Sequence, residues 1–257
     1  MAKVLKLTRN IGILCGPDDI YNIHRLGKYV GEEKAKTMRF GIRGYVPDLT
    51  GYGIDNDIES ATQTGLWMYY ENADYNPESA SVFMVHGINI SINFPPEYAN
   101  IVTAIRYAGE ATLPNADTIT LYQGTAFTGE QLFAVTDAGS ITILDADASS
   151  FIITGLSPWT LYTETSYAGE SYCVYPDTDH DVSPEGDQLD FGIYPDITSL
   201  GIPDDAIRSL RKGCFGNEVM NATPLKYDGK AENGAWRLIY IFNIIKCITH
   251  RKCYSHF

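Results

Sequence analysis

Leu121-Tyr122-Gln123-Gly124-Thr125-Ala126-Phe127-Thr128-Gly129-Glu130 returns 40 residues later as Leu161-Tyr162-Thr163-Glu164-Thr165-Ser166-Tyr167-Ala168-Gly169-Glu170. Both copies read Leu, Tyr, four residues, an aromatic, one residue, Gly, Glu. Self-similarity at a fixed period marks a chain that uses one supersecondary unit more than once. The pattern has a physical reading. Tyr122 or Tyr162 lies on a strand, the chain folds over as a hairpin, and Phe127 or Tyr167 packs back onto the fold. Gly129 and Gly169 supply a positive φ that side chains resist. A weaker third copy lies upstream, with Tyr70, then Tyr75, then Pro77 where the others have Gly. That hairpin is expected to be built differently.

Working outward, alternating or short apolar runs predict strands at 119–122, 131–135, 140–144 and 151–153. Gly, Pro, Asn and Asp punctuate them at intervals of about ten residues, which reads as an all-β sandwich or barrel. Helical periodicity is poor. Only 21–38 and 235–248 are expected to hold short helices.

The 257 residues carry 32 acidic and 19 basic side chains, a formal net charge of −13. From Leu210 onward eight basic residues face three acidic ones, so this stretch carries +5 and the body −18. Such a change of sign marks a boundary. An acidic body argues against nucleic acid and against anionic membrane surfaces as partners, and leaves cations as candidates. No apolar run reaches ~18 residues, so no membrane span is expected. Asn89-Ile90-Ser91 and Asn221-Ala222-Thr223 are glycosylation triplets that tilt the reading toward an extracellular protein, although no leader peptide is visible near the start. Five cysteines give no closed framework. Cys173 and Cys214 both lie in the acidic body and form the candidate disulfide, the alternative being two buried thiols. His24, His86 and His180 are scattered, and no hydrolase or phosphate-loop signature appears, so no enzyme is expected.

The repeat resembles the Greek-key motif of the βγ-crystallin superfamily, in which two four-stranded motifs form one domain. Ser149-Ser150-Phe151-Ile152-Ile153-Thr154-Gly155 followed by Ser157-Pro158-Trp159 resembles the family's short join between paired motifs, including its tryptophan. Asp204-Asp205-Ala206-Ile207-Arg208-Ser209-Leu210-Arg211 resembles a closing strand. The resemblance implies a Greek-key β-sandwich over residues 113–214, with Tyr122, Phe127, Gly129, Glu130, Trp159, Tyr162, Tyr167, Gly169 and Glu170 as its structural motif. A divergent crystallin-like domain is expected over 1–112, and a basic, apolar tail outside the fold over 215–257.

Many members of this family bind calcium through Asn/Asp, Asn/Asp, two residues, Ser/Thr, Ser, pooling ligands from both motifs. Here Asp145-Ala146-Asp147-Ala148-Ser149-Ser150 has Ala146 in the second place, and Asp204-Asp205-Ala206-Ile207-Arg208-Ser209 has Arg208 in place of a hydroxyl. A fixed cation there repels a metal. The resemblance therefore implies at most one composite calcium site, drawn from Asp145, Asp147, Ser149, Asp204 and Asp205, in which Asp205 joins the Ser149 hydroxyl. The alternative is a solvated turn. Acidic residues at 177–190 are read as a long solvated loop. The implied function is that of a non-enzymatic structural protein with weak calcium binding and no other cofactor. The competing reading is a secreted binding module, lectin-like or defensive, with a protein or glycan partner. Exposed rather than buried Tyr122, Tyr162 and Tyr167 would favour it.

Overall fold

A computed structural model describes residues 9–15, 22–27, 45–76, 82–176, 180–182, 188–216, 218–220 and 237–240. Its regular elements there are strands and short 3-10 turns. The second half of the chain is the simpler part. Strands β7 (Thr118–Tyr122), β8 (Gln131–Ala134) and β9 (Ser150–Thr154) come from one motif; β10 (Trp159–Tyr162), β11 (Ser171–Val174), β13 (Gln188–Tyr194) and β14 (Ser209–Lys212) come from the next. One sheet runs β12-β13-β9-β7-β8, with β12 at His180–Val182, and the other runs β14-β10-β11-β15, with β15 at Glu218–Met220. The third strand of each motif has crossed to its partner's sheet. β13 pairs with β9, and Ala138 bridges to Leu210 of β14. This exchange is a pair of interlocked Greek keys. Ile119, Leu121, Phe151, Trp159, Leu161 and Leu210 fill the space between the sheets.

The first half holds β1 (Arg9–Cys15), β2 (Asn22–Gly27), β3 (Tyr45–Val46), β4 (Ser60–Tyr70), β5 (Val82–Asn93) and β6 (Ala104–Ala108). β4 is two strands run together. Residues 60–63 pair with 90–93, the register shifts at Gly65, and 66–70 then pair with 82–86 on one side and 104–108 on the other. Gly65 sits at φ +92°, and a Cβ there would collide with the Tyr107 ring. Residues 66–70, 82–86 and 104–108 thus repeat the arrangement of β7, β8 and β9. Between Tyr70 and its partner Val82 lie 11 residues, against eight between Tyr122 and Gln131 and eight between Tyr162 and Ser171. The longer hairpin is the difference that Pro77 announced; Pro77 itself lies outside the described residues. Trp67, Tyr69, Phe83, Phe94, Ile105 and Tyr107 form this unit's core.

Several expectations are corrected here. Residues 22–27, expected in a helix, form a strand on β1, and 237–240 form β16 (Arg237–Tyr240), antiparallel to β5. β15 lies parallel to β11. The tail expected outside the fold therefore contributes a strand to a sheet edge in each half, where unpaired backbone groups await partners. Residues 140–144 form no strand; Ile141 instead donates its N–H to Arg208 O. Of the acidic stretch, 180–182 is a strand, and Asp190 is buried and bonded to Asn115; the remainder of that loop is mostly outside the described residues.

A third cluster joins the two halves. Leu66, Met68 and Tyr70 face away from the first core, and Tyr122, Phe127 and Ile152 face away from the second; these side chains pack together as a buried seam. Alternation along a strand sends successive side chains to opposite faces, which is why Trp67 and Tyr69 serve one layer and Met68 and Tyr70 another.

Candidate functional site: paired closing loops

The repeated turns are built alike. Ala73–Tyr75, Thr125–Phe127 and Thr165–Tyr167 are each one 3-10 turn whose last two residues have positive φ: Asp74 and Tyr75 at 54° and 56°, Ala126 and Phe127 at 53° and 62°, Ser166 and Tyr167 at 59° and 62°. Bulky residues seldom adopt this region, so something must hold it. In two copies a buried serine does. Ser150 Oγ accepts from Phe127 N at 3.1 Å and donates to Gly124 O at 2.6 Å; Ser209 Oγ accepts from Tyr167 N at 3.1 Å and donates to Glu164 O at 2.6 Å. Gly129 and Gly169 have φ of +72° and +78°, and a Cβ would strike the Gln123 side chain in one and Thr163 in the other. Glu130 and Glu170 close the hairpins through their carbonyls, which accept from Gln123 N and Thr163 N. Tyr122, Phe127 and Trp159 are fully buried, Tyr162 is nearly so, and Tyr167 is 36% exposed.

The loops that lead into the closing strands form the candidate site. A residue with positive φ recurs at one position in four loops: Asn56 at 52°, Asn100 at 61°, Ala146 at 56° and Asp205 at 54°. The equivalence is supported by shared hydrogen bonds. Thr103 N, Ser149 N and Arg208 N donate to Tyr70 O, Tyr122 O and Tyr162 O, and Asn56 N and Ala146 N donate to Val102 O and Ile207 O. The first unit's loops escaped the sequence reading. Asp55-Asn56-Asp57-Ile58-Glu59-Ser60 carried the signal, because it keeps the order Asn/Asp, Asn/Asp, two residues, Ser/Thr, Ser except for Glu59 in the fifth place.

In the second unit the two loops face each other as two pseudo-equivalent niches. In one, Arg208 donates from Nε and Nη2 to the two oxygens of Asp145, both at 2.8 Å. The guanidinium holds the Asp145 carboxyl below its ordinary range. In the other, Ser149 Oγ lies 3.5 Å from Asp205 Oδ1. Desolvation, and then the charges of Asp204 and Asp147, raise the Asp205 pKa. Asp147 accepts from Gln123 Nε2 at 2.9 Å. The structure thus brings together Ser149 and Asp205, with Asp204 and Asp147 acting on them through charge, and turns Asp145 toward Arg208 instead. No group of three or more His, Cys, Asp or Glu converges among the described residues. In the first unit Asn100 Nδ2 donates to Glu59 at 2.8 Å, and Asp55, the counterpart of Asp145, keeps a buried Oδ1 with no hydrogen-bond partner among the described residues.

Cys173 and Cys214 form a disulfide, tying β11 to the chain that leaves β14. Gly216 N donates to Cys173 Sγ, so the link fixes the approach of β15.

The strand exchange and the repeated aromatic turns define an all-β, Greek-key sandwich. The fold is that of the βγ-crystallins. Geodin, a βγ-crystallin from Geodia cydonium, is 21% identical and superposes with a TM-score of 0.51 over 69% of this chain and 92% of its own. A βγ-crystallin from an archaeon is 25% identical over 38% of this chain and 99% of that one, with a TM-score of 0.31. One from Ciona intestinalis is 23% identical over 37% and 98%, with a TM-score of 0.30. No family model and no curated protein matches the chain. No helix among the described residues is long and apolar enough to cross a membrane.

Proposed function

We propose that the chain is a non-enzymatic structural protein of βγ-crystallin type whose second sandwich binds one calcium ion between its closing loops. The observation that carries this reading is the Arg208–Asp145 pair. One niche of the loop pair already accommodates a cation, the guanidinium; the opposite niche, where Ser149 stands in the place of Arg208 and Asp204 in that of Asp145, offers the Ser149 hydroxyl and the Asp205 carboxylate and has no built-in cation. Calcium takes six to eight oxygens at roughly 2.3–2.6 Å, and a site with a single direct carboxylate belongs at the weak end, with Kd on the order of 0.1–1 mM. Backbone carbonyls of the loops and water would complete the shell. The orphaned Asp55 oxygen supports a second position of the same kind in the first unit.

Calorimetric titration of the full chain with calcium tests this. Binding of that strength is expected, with a rise in melting temperature. Asp205→Asn should abolish the heat assigned to the second unit, and Arg208→Ser, which frees Asp145 and supplies a hydroxyl, should add one equivalent. Absence of both heat and a thermal shift at millimolar calcium would refute the reading. The alternative of a secreted binding module that uses Tyr122, Tyr162 and Tyr167 is not favoured, because only Tyr167 faces solvent.

A further inference from the structure

The seam between the two halves is a contact between two copies of the same corner. The corner of the first unit is Tyr70, Tyr75 and Arg106; that of the second is Tyr122, Phe127 and Ile152, on equivalent strands. Bonds run both ways across the contact. Tyr70 Oη donates to Phe127 O at 2.6 Å, and Gly129 N donates to Tyr75 O at 2.8 Å. Tyr75 O and Phe127 O are the same atom of the repeat; the donors to them differ, a backbone N–H in one and a phenol in the other, and Ile152 stands where the first corner has Arg106. Arg106 lies 3.6 Å over the Tyr75 ring and donates across to Gly129 O at 2.7 Å.

A third corner is present and faces solvent. Arg211, at the strand position of Arg106, lies over Tyr167, the counterpart of Tyr75, at 5.6 Å and over Phe215 at 4.0 Å. Residues 164–170 are exposed throughout, whereas Ala126, Phe127 and Thr128 of the equivalent turn are buried in the seam. The patch joins an arginine, two aromatics and a rim of acids, Glu164 and Glu170. Arginine and aromatics are the residues that dominate interface centres.

We propose that this third corner pairs with the same corner of a second copy of the chain about a twofold axis, reproducing between molecules the contact that the first two corners make within one. The surface is complementary to itself, as an isologous interface must be. Arg211 Nε meets Asp137 of its own copy at 3.3 Å on the surface. Each copy brings that cation and the acids Glu164 and Glu170, so Arg211 of one copy meets the acidic rim of the other. By analogy with Arg106, it reaches a turn carbonyl there.

Sedimentation velocity of the full chain across micromolar to millimolar concentration tests the proposal. A concentration-dependent shift from monomer to dimer is expected. Arg211→Glu should weaken association by about tenfold or more, the loss of a central contact. Ala168→Arg, on the exposed turn but outside the Arg211 stack, should do the same with an unchanged melting temperature, which separates loss of the interface from loss of the fold. Mixing Arg211→Glu with Glu170→Arg chains should restore dimers. A wild-type chain that stays monomeric throughout, or a dimer indifferent to both Arg211→Glu and Ala168→Arg, would overturn it.

Discussion

Asp117 holds together the join between the two motifs of the second unit. Its carboxylate accepts from Leu156 N at 2.8 Å, Ser157 N at 2.9 Å and Ser157 Oγ at 2.7 Å, and meets Lys212 Nζ at 2.9 Å. Desolvation alone would raise its pKa; the donors from Lys212, Ser157 and Leu156 outweigh it and bring the value down to about 2. A carboxylate whose folded pKa lies below its unfolded value of about 3.9 contributes stability above that value. The contribution is lost as the pH falls from about 4 through 2. Because the side chain is partly exposed, solvent screening reduces it to about 1 kcal/mol. Urea titrations of wild type and Asp117→Asn should differ by that amount at neutral pH and converge near pH 2. The sequence carried some residue roles and withheld others. Ser149 with Asp205 was readable from the loop pattern. Arg208 was readable as an obstacle to metal, but not as the partner of Asp145, because 63 residues separate the two and only the folded loop pair brings them together.

The turns carry the element-scale result. Two of the three hold their positive-φ residues with a serine from the closing strand, and Ala104 stands at that place in the third. Ser150→Ala removes an acceptor from Phe127 N and a donor to Gly124 O in a fully buried position, so it should cost roughly 1–3 kcal/mol, the loss expected when buried partners go unsatisfied. Chemical denaturation with an unchanged m-value would check it. Here the pattern Tyr, four residues, aromatic, one residue, Gly was legible because the turn is local. Residues 60–70 were not read as two strands, because the shift at Gly65 depends on its pairing with β5 and on the approach of Tyr107. Residues 140–144 alternate like a strand, yet their neighbour Ala138 is already claimed by β14, so the segment serves as a crossing. The strand at 22–27 overrode a weak helical period because β1 offers it an edge, a tertiary effect that local propensity cannot contain.

Across the whole molecule the least legible feature was Arg106, a fully buried cation. Its guanidinium lies between the rings of Tyr75 at 3.6 Å, Tyr122 at 5.2 Å and Tyr70 at 5.3 Å, and donates to Gly129 O and Gln131 Oε1. Burial raises the pKa of all three phenols, that of Tyr75 to about 12, so the rings around the cation stay neutral at physiological pH. Arg106→Ala leaves carbonyls unpaired and a void in the seam; a loss of roughly 3 kcal/mol is expected, as for breaking other buried charged contacts. The readout is calorimetric. A single wild-type transition should split into two as the halves uncouple, and a single, merely shifted transition would contradict the role given to this residue. The interlocking of the two motifs also bears on the order in which the chain can take shape. The sheet begun by β7 and β9 is completed by β13, whose residues follow those of β9 by about 40 positions. During synthesis the first motif therefore emerges with one side of β9 unpaired and must wait for residue 194 before its layer closes. Long-range pairing of this kind makes folding slow, and the waiting edge is where a newly made chain is most open to capture by its neighbours.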